Sequence, residues 1–375
     1  MRLAWLVVML VGCGNSAPVN GSGGGGGDDG VGSDAGAHGD AAADVAAVPD
    51  GALCIGSYLQ VCVAHTPTND LHTADLGLDG GGIWTGDGVT APNPICRFLH
   101  DPNDNHDPCV IIGRDITLDG LGIAFGGRHP VVIAAFGDLT VAAGTTVVVE
   151  NFRSTIPPGE DDAECVIPAP PASHIGGAGG SFGGAGGPGG GGTEQEATVA
   201  TLPPALRGGC SGQMGRDDSV AGPGGGAIDL VAAHGIAIQG VVGAPGIGGS
   251  GGYGNNVLGT HEGGGGGGSG GLIVLDGATI SVTGTLAANG GGGGAGGITY
   301  LDAHGYAAPG NAGDLSNEAA HSGDGVGGAG STIADGQAGT SFTDSVAGGG
   351  GGGGAGWIHA TVPVTGDGIV SPALR

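Results

Sequence analysis

Two stretches of the chain, 226–246 and 271–290, follow one pattern. Gly226-Ala227-Ile228-Asp229-Leu230-Val231-Ala232, Gly235-Ile236-Ala237-Ile238-Gln239-Gly240 and Val241-Val242-Gly243-Ala244-Pro245-Gly246 make the first copy. Gly271-Leu272-Ile273-Val274-Leu275-Asp276, Thr279-Ile280-Ser281-Val282-Thr283-Gly284 and Thr285-Leu286-Ala287-Ala288-Asn289-Gly290 make the second. With a one-residue gap Ile228 aligns with Ile273, Leu230 with Leu275, Ile236 with Ile280 and Ile238 with Val282. Gly240 then aligns with Gly284 and Gly246 with Gly290. Apolar residues at i and i+2 share one face of a strand. Three short strands parted by Gly or Asn corners make a coil of roughly twenty residues, which has no cover for its apolar face until another coil stacks on it. The pattern therefore predicts an all-β chain, a single-stranded right-handed parallel β-helix (β-solenoid). Pro130 to Ala135, Asp138 to Ala142 and Thr145 to Val149 repeat the beat, and Trp357 to Val362 is the last coil-like piece. Pro363 and Pro372 stand where they would discourage edge-to-edge pairing.

Glycine supplies 95 of 375 residues while aromatics make up 3 %. A strict Gly-X-Y period is absent, which excludes collagen. The apolar fraction is mostly Ala and Val, so the core should be thin, as a stack of narrow coils allows. Between coils lie Ile175 to Gly192, Ile247 to Gly271 and Gly290 to Gly356, with pure glycine runs at Gly263–Gly268 and Gly348–Gly354. Composition reads these as long, flexible Gly-rich loops. Leaving each coil at the same corner, they should emerge on one side of the stack. Long structureless loops are uncommon in compact domains, and the alternative is that the runs pack together as polyproline-II-like strands, which only Gly permits at close spacing.

The formal charge is −27, Lys is absent, and all eight basic residues are Arg. Such a surface excludes nucleic-acid binding and attraction to anionic lipid. It serves solubility, a cationic partner or a divalent metal.

At the N-terminus, Arg2 precedes the apolar run Leu3 to Val11, too short to span a bilayer and suited to a signal-peptide core. The run ends in Leu10-Val11-Gly12-Cys13, which resembles the lipobox of bacterial lipoproteins. That resemblance implies that residues 1–12 are a signal peptide removed on export and that Cys13 carries the lipid anchor to the membrane. Gly14, in place of the Asp that favours inner-membrane retention in enterobacteria, points to the outer membrane, with the periplasmic or surface face left open. Residues 13–50 form the lipidated Cys and a disordered Gly/Ala/Asp tether, reaching roughly 35 Å as a random coil. Residues 51–126 read as a Cys-bearing β cap beginning with two short strands, Leu53 to Val63 around Gly56-Ser57, and residues 127–375 as the solenoid with its insertions.

Six cysteines remain: Cys54, Cys62, Cys96, Cys109, Cys165 and Cys210. An even count in an exported chain implies disulfides, and nearest-neighbour pairing gives Cys54–Cys62, Cys96–Cys109 and Cys165–Cys210, although the sequence admits other connectivities. Cys96, His100, His106 and Cys109 have zinc-ligand chemistry without the usual spacing. Asp101, Asn103, Asn105 and Asp107 alternate oxygen ligands like the start of a calcium loop, but His106 occupies the Gly position and Ile112 stands where a closing Glu belongs. No other cofactor is implied, and calcium only by this loop.

Pectate lyases and polygalacturonases are right-handed β-helices, so the predicted fold is compatible with catalysis, but the residues for it are not in place. Asp161-Asp162 and Asp217-Asp218 lie in loop sequence, Ala233-His234-Gly235 comes without an Arg-Ile-Lys segment, and no HExxH or nucleophile elbow occurs. Asp229 and Asp276, between apolar neighbours, should point outward from their coils. The chain resembles the glycine-rich lipoproteins of myxobacteria in its lipobox, its tether, the segment around Cys54 and Cys62, and its Gly-Gly-Ala-Ile-x-Leu coils. These readings give a non-enzymatic, lipid-anchored envelope protein for surface display, adhesion or contact with extracellular polysaccharide or matrix. The alternative is a polysaccharide-binding or polysaccharide-degrading β-helix protein with an acidic, calcium-dependent groove.

Overall fold

The computed structural model describes residues 52–77, 82–85, 93–99, 107–150, 165, 169–171, 174–192, 201–215, 219–255, 260–298, 304–325, 327–341 and 346–375. These residues contain strands and two short 3-10 turns, and no α-helix. Most of the strands are arranged in three parallel ladders. The first joins Cys109–Gly113, Val131–Ala135, the leading half of Ala227–Ile238, the leading half of Leu272–Val282, and Trp357–Ala360. The second joins Leu71–His72, Ile116–Leu118, Leu139–Val141, the trailing halves of the same two long strands, and Val364–Thr365. The third joins Gly82–Trp84, Ile123–Gly126, Thr146–Val149, Val241–Gly243, Thr285–Ala287 and Ile369–Ser371. From Cys109 onward the chain visits first, second and third ladder in that order on every pass.

The register is the one the duplicated pattern requires. Ile228 faces Ile273, Leu230 faces Leu275, Ile236 faces Ile280 and Ile238 faces Val282. Columns run through the stack: Cys109, Val131, Ile228, Ile273 and Ile358 in the first ladder, and Ile116, Leu139, Ile236 and Ile280 in the second. The third contributes Ile123, Val147, Val242 and Leu286. All pack into a single apolar cluster enclosed by the three ladders. Burying each such side chain is worth about 1.5–3 kcal/mol, so the columns carry the fold even though few aromatics are available.

The glycine-rich stretches leave after the third-ladder strands Thr146–Val149, Val241–Gly243 and Thr285–Ala287, and each returns to open the next first-ladder strand. They are packed segments rather than loops. The run 263–271 exchanges backbone hydrogen bonds with 175–180, 208–215, 219–226, 244–252, 288–297 and 347–356, so it has neighbours on all sides. The bonds recur every third residue: Gly264, Gly267 and Gly270 donate to Gly348, Gly351 and Gly354, while Gly291 and Gly294 donate to Gly268 and Gly265. Three residues per turn with no internal hydrogen bonds is polyproline-II geometry. Side-chain directions agree. A Cβ on Gly264 or Gly267 would strike 288–297, on Gly265 or Gly268 it would strike 219–226, and on Gly263 or Gly266 it would strike 175–180. The stretches 288–297 and 347–356 are surrounded in the same way and touch each other as well as 263–271. The three longest glycine runs therefore form the centre of a bundle whose outer members tolerate Ala, Ser, Pro and Gln.

The division at 126/127 does not separate a cap from a stack. Strands at 71–72, 82–84, 109–113, 116–118 and 123–126 are rungs of the ladders themselves, because their aliphatic residues enter the shared cluster. Among the described strands of 51–126, only the hairpin Leu53–Ile55 with Val61–Val63, closed by Cys54–Cys62, lies outside the ladders. It lies along the outer face of the first ladder, against Val110, Val132, Val231 and Val274, rather than over one end. At the other end of the chain Arg375 ties bundle to ladders. Its N–H donates to Ile358 (3.0 Å), its guanidinium donates to the Gly183 and Ile333 carbonyls, and it lies 5.1 Å from the Trp357 ring centre.

Candidate functional site

Strand pleating sends alternate side chains of the first ladder away from the enclosed core. One outward row reads Val110, Val132, Asp229, Val274, His359 through successive rungs. A second contains Ile112, Ala134, Val231 and Asp276. Asp229 and Asp276 do point away from the core, as alternation requires, but Asp229 is sealed from water and Asp276 is largely buried. The hairpin, with Phe182 and Leu206, covers this face in a second apolar cluster.

Asp229 is fully buried, and neither carboxyl oxygen has a hydrogen-bond partner. Burial, and then the charge of Asp276, hold its carboxyl well above the usual carboxylate range, which favours the protonated form. Asp276 has the opposite surroundings. It accepts from the backbone N–H of Ser57 and of Tyr58 (2.8 Å), from Ser57 Oγ (3.0 Å) and from Thr361 Oγ1 (3.1 Å). Tyr58 donates its hydroxyl to the Pro203 carbonyl at 2.8 Å, and its phenol is pushed upward by burial and by Asp229, with Arg207 opposing. Arg207 is buried beside the Cys165 and Cys210 sulfurs (3.8 and 4.0 Å) and 4.8 Å from the Phe182 ring centre. An open cleft of about 480 Å³ borders the hairpin, between Cys54–Ser57 and the corners at 232–233, 276–278 and 361–362, with Asp276 in its lining. Two carboxyl groups in unlike surroundings are what glycoside cleavage uses, but here the hairpin stands in the way.

A second cluster lies at the end of the bundle remote from the ladders. Tyr253–Asn255 pairs with Thr260–His261 and with His304–Tyr306, which brings Tyr253 and Tyr306 opposite each other with ring centres 5.4 Å apart. The His174 ring stacks on His261 at 4.0 Å, and its Nδ1 donates to the His261 carbonyl at 2.7 Å. Burial, then His174, push His261 below the usual histidine range. Met214, Val220 and Tyr306 are large apolar side chains left exposed on the bundle.

The other sequence-predicted residues are dispersed. Cys13, Asp101, Asn103 and Asn105, as well as Asp161-Asp162 and Asp217-Asp218, lie outside the described residues. Asp107 is buried, its Oδ1 accepting from Leu99 N at 3.2 Å and its carbonyl facing His129 Nδ1 at 2.9 Å, so it is engaged with Leu99 and His129. The disulfides are Cys54–Cys62, Cys96–Cys109 and Cys165–Cys210, which removes Cys96 and Cys109 as zinc thiolates. Among the described residues no group of three or more His, Cys, Asp or Glu could hold a metal ion. His234 is exposed at a corner between ladders. Sequence reasoning missed Tyr58, Arg207 and the His174–His261 pair, which are brought together by chain segments far apart and leave no local motif. No protein-family model matches the chain, and no curated protein or solved structure is significantly similar to it.

Proposed function

We propose that the protein is a lipid-anchored display protein of the bacterial outer membrane: a β-solenoid body from which a rigid glycine bundle carries its far end toward a polysaccharide or matrix surface. The solenoid reading, a single-stranded right-handed β-helix, draws its support from the repeated order of visits to three parallel ladders around one core. The display reading rests chiefly on one observation. Every glycine-rich excursion departs after a third-ladder strand and joins the same hydrogen-bonded bundle, so the turns with Tyr253, Tyr306, His174 and His261 collect at one end. Aromatic rings held on a rigid support lose little entropy on contact with a ligand. Anchoring is the part open to the simplest test. Metabolic labelling with palmitate should mark the wild-type protein and place it in the outer-membrane fraction, while Cys13→Ala should be unlabelled and released. Unlabelled wild-type protein would remove the anchor and the location with it.

The second reading, a polysaccharide-binding or polysaccharide-degrading protein, is favoured by the Asp229–Asp276 pair and requires the hairpin to move. A glycan array read with and without calcium, followed by assay of bound glycans for reducing-end release, separates the two.

A further inference from the structure

We propose that the disulfide-closed hairpin at 53–63 is a proton-fastened strap, shut over the first ladder while Asp229 carries its proton and lifted when Asp229 ionises. From Val110 to Val274 the row beneath it is aliphatic except at one place. Val110, Val132 and Val274 surround a carboxyl that makes no hydrogen bond and is fully buried. A neutral acid tolerates that position, but a carboxylate there would lack both water and donors.

The charged and titratable groups around Asp229 offer no rescue. Asp276, on the next rung, adds a second negative charge. From the hairpin comes Tyr58, whose hydroxyl is committed to the Pro203 carbonyl. Arg207, from 201–215, is held between Phe182 and the Cys165–Cys210 sulfurs. His359 shares the row beyond Val274, and its Nδ1 meets the Arg375 carbonyl at 2.9 Å. The preceding rung presents only Val132 and Ala134.

Relief must come from water, and the element that can admit it is the hairpin. Rungs are held by ladder bonds on both sides, whereas polar anchorage of the hairpin consists of Ser57 and Tyr58 on Asp276 and the Tyr58 hydroxyl on Pro203. Cys54–Cys62 keeps the hairpin intact as it moves. Because Asp229 holds its proton more tightly in the closed form than in the open one, closure is complete at low pH. It weakens as pH rises above the ordinary carboxylate range, until Asp229 ionises in the closed form too.

Hydrogen exchange of the peptide 53–63 in the full-length protein tests this, read at about pH 5 and about pH 9 and expressed at each pH relative to Asp229→Val, which cancels the intrinsic rate. Each unit by which closed and open proton affinities differ is worth about tenfold in closure. Wild-type protection should therefore fall by about tenfold or more relative to Asp229→Val between the two pH values, while 227–238 stays protected. Asp229→Asn, nearly isosteric, serves if the Val variant folds poorly, and Asp276→Asn should loosen the hairpin at both pH values. Equal pH dependence in wild-type and Asp229 variants, or parallel loss of protection at 227–238, overturns the proposal.

Discussion

At the residue scale the most consequential choice is a missing methyl group. Gly266 sits where 175–180 passes so close that a Cβ would overlap the Ala178 carbonyl. The obstacle is backbone on a surrounded segment, so no side-chain rotation can relieve it. Gly266→Ala should cost about 3 kcal/mol or more, at the upper end of overpacking penalties. Gly122 has nothing within 4 Å of the same added atom, so Gly122→Ala should change stability by less than about 1 kcal/mol. Denaturant midpoints of the two variants check the contrast, and equal midpoints would mean that the glycines are not in close contact. Asp229 teaches the reverse lesson. Alternation correctly points it away from the core, yet nothing local in Ile228-Asp229-Leu230 says that Tyr58 will cover it, since the two lie far apart in the chain.

At the element scale, what the sequence makes legible is the ladder. Paired aliphatics at i and i+2, duplicated at 226–246 and 271–290, specify both strand faces and the register between copies, because a one-residue slip would turn every aliphatic outward. The bundle was legible in principle. Gly176-Gly177-Ala178-Gly179-Gly180-Ser181 and Gly183-Gly184-Ala185-Gly186-Gly187-Pro188 carry a Gly-Gly-x triplet, the period of polyproline II, hidden by the pure glycine runs that have no third residue to mark the phase. The early rungs are hard to read for a different reason. Short strands such as Leu71–His72 and Gly82–Trp84 hold too few residues to show a period, and pairing with later rungs alone defines them. Cross-links matter where such elements are short. Cys165–Cys210 closes a separation of 45 residues and fastens the start of the bundle beside Arg207. Replacing both with Ser should lower stability by about 4 kcal/mol if chain entropy dominates, which equilibrium unfolding under oxidising conditions would measure.

At the scale of the whole molecule, two cores of different kinds are joined along one side. The first is apolar and enclosed by three ladders. The second contains almost no side chains and is held by backbone hydrogen bonds between glycine segments, a solution that few large apolar residues and 95 glycines make natural. The claim on which the display reading depends is that this second core is ordered. Hydrogen exchange resolved over the peptides 263–271, 288–297 and 347–356 addresses it directly. Their glycine amides should exchange as slowly as those of the rungs 227–238 and 272–282. Exchange at the rate of an unstructured polyglycine chain would contradict the bundle and leave nothing rigid to carry the far end.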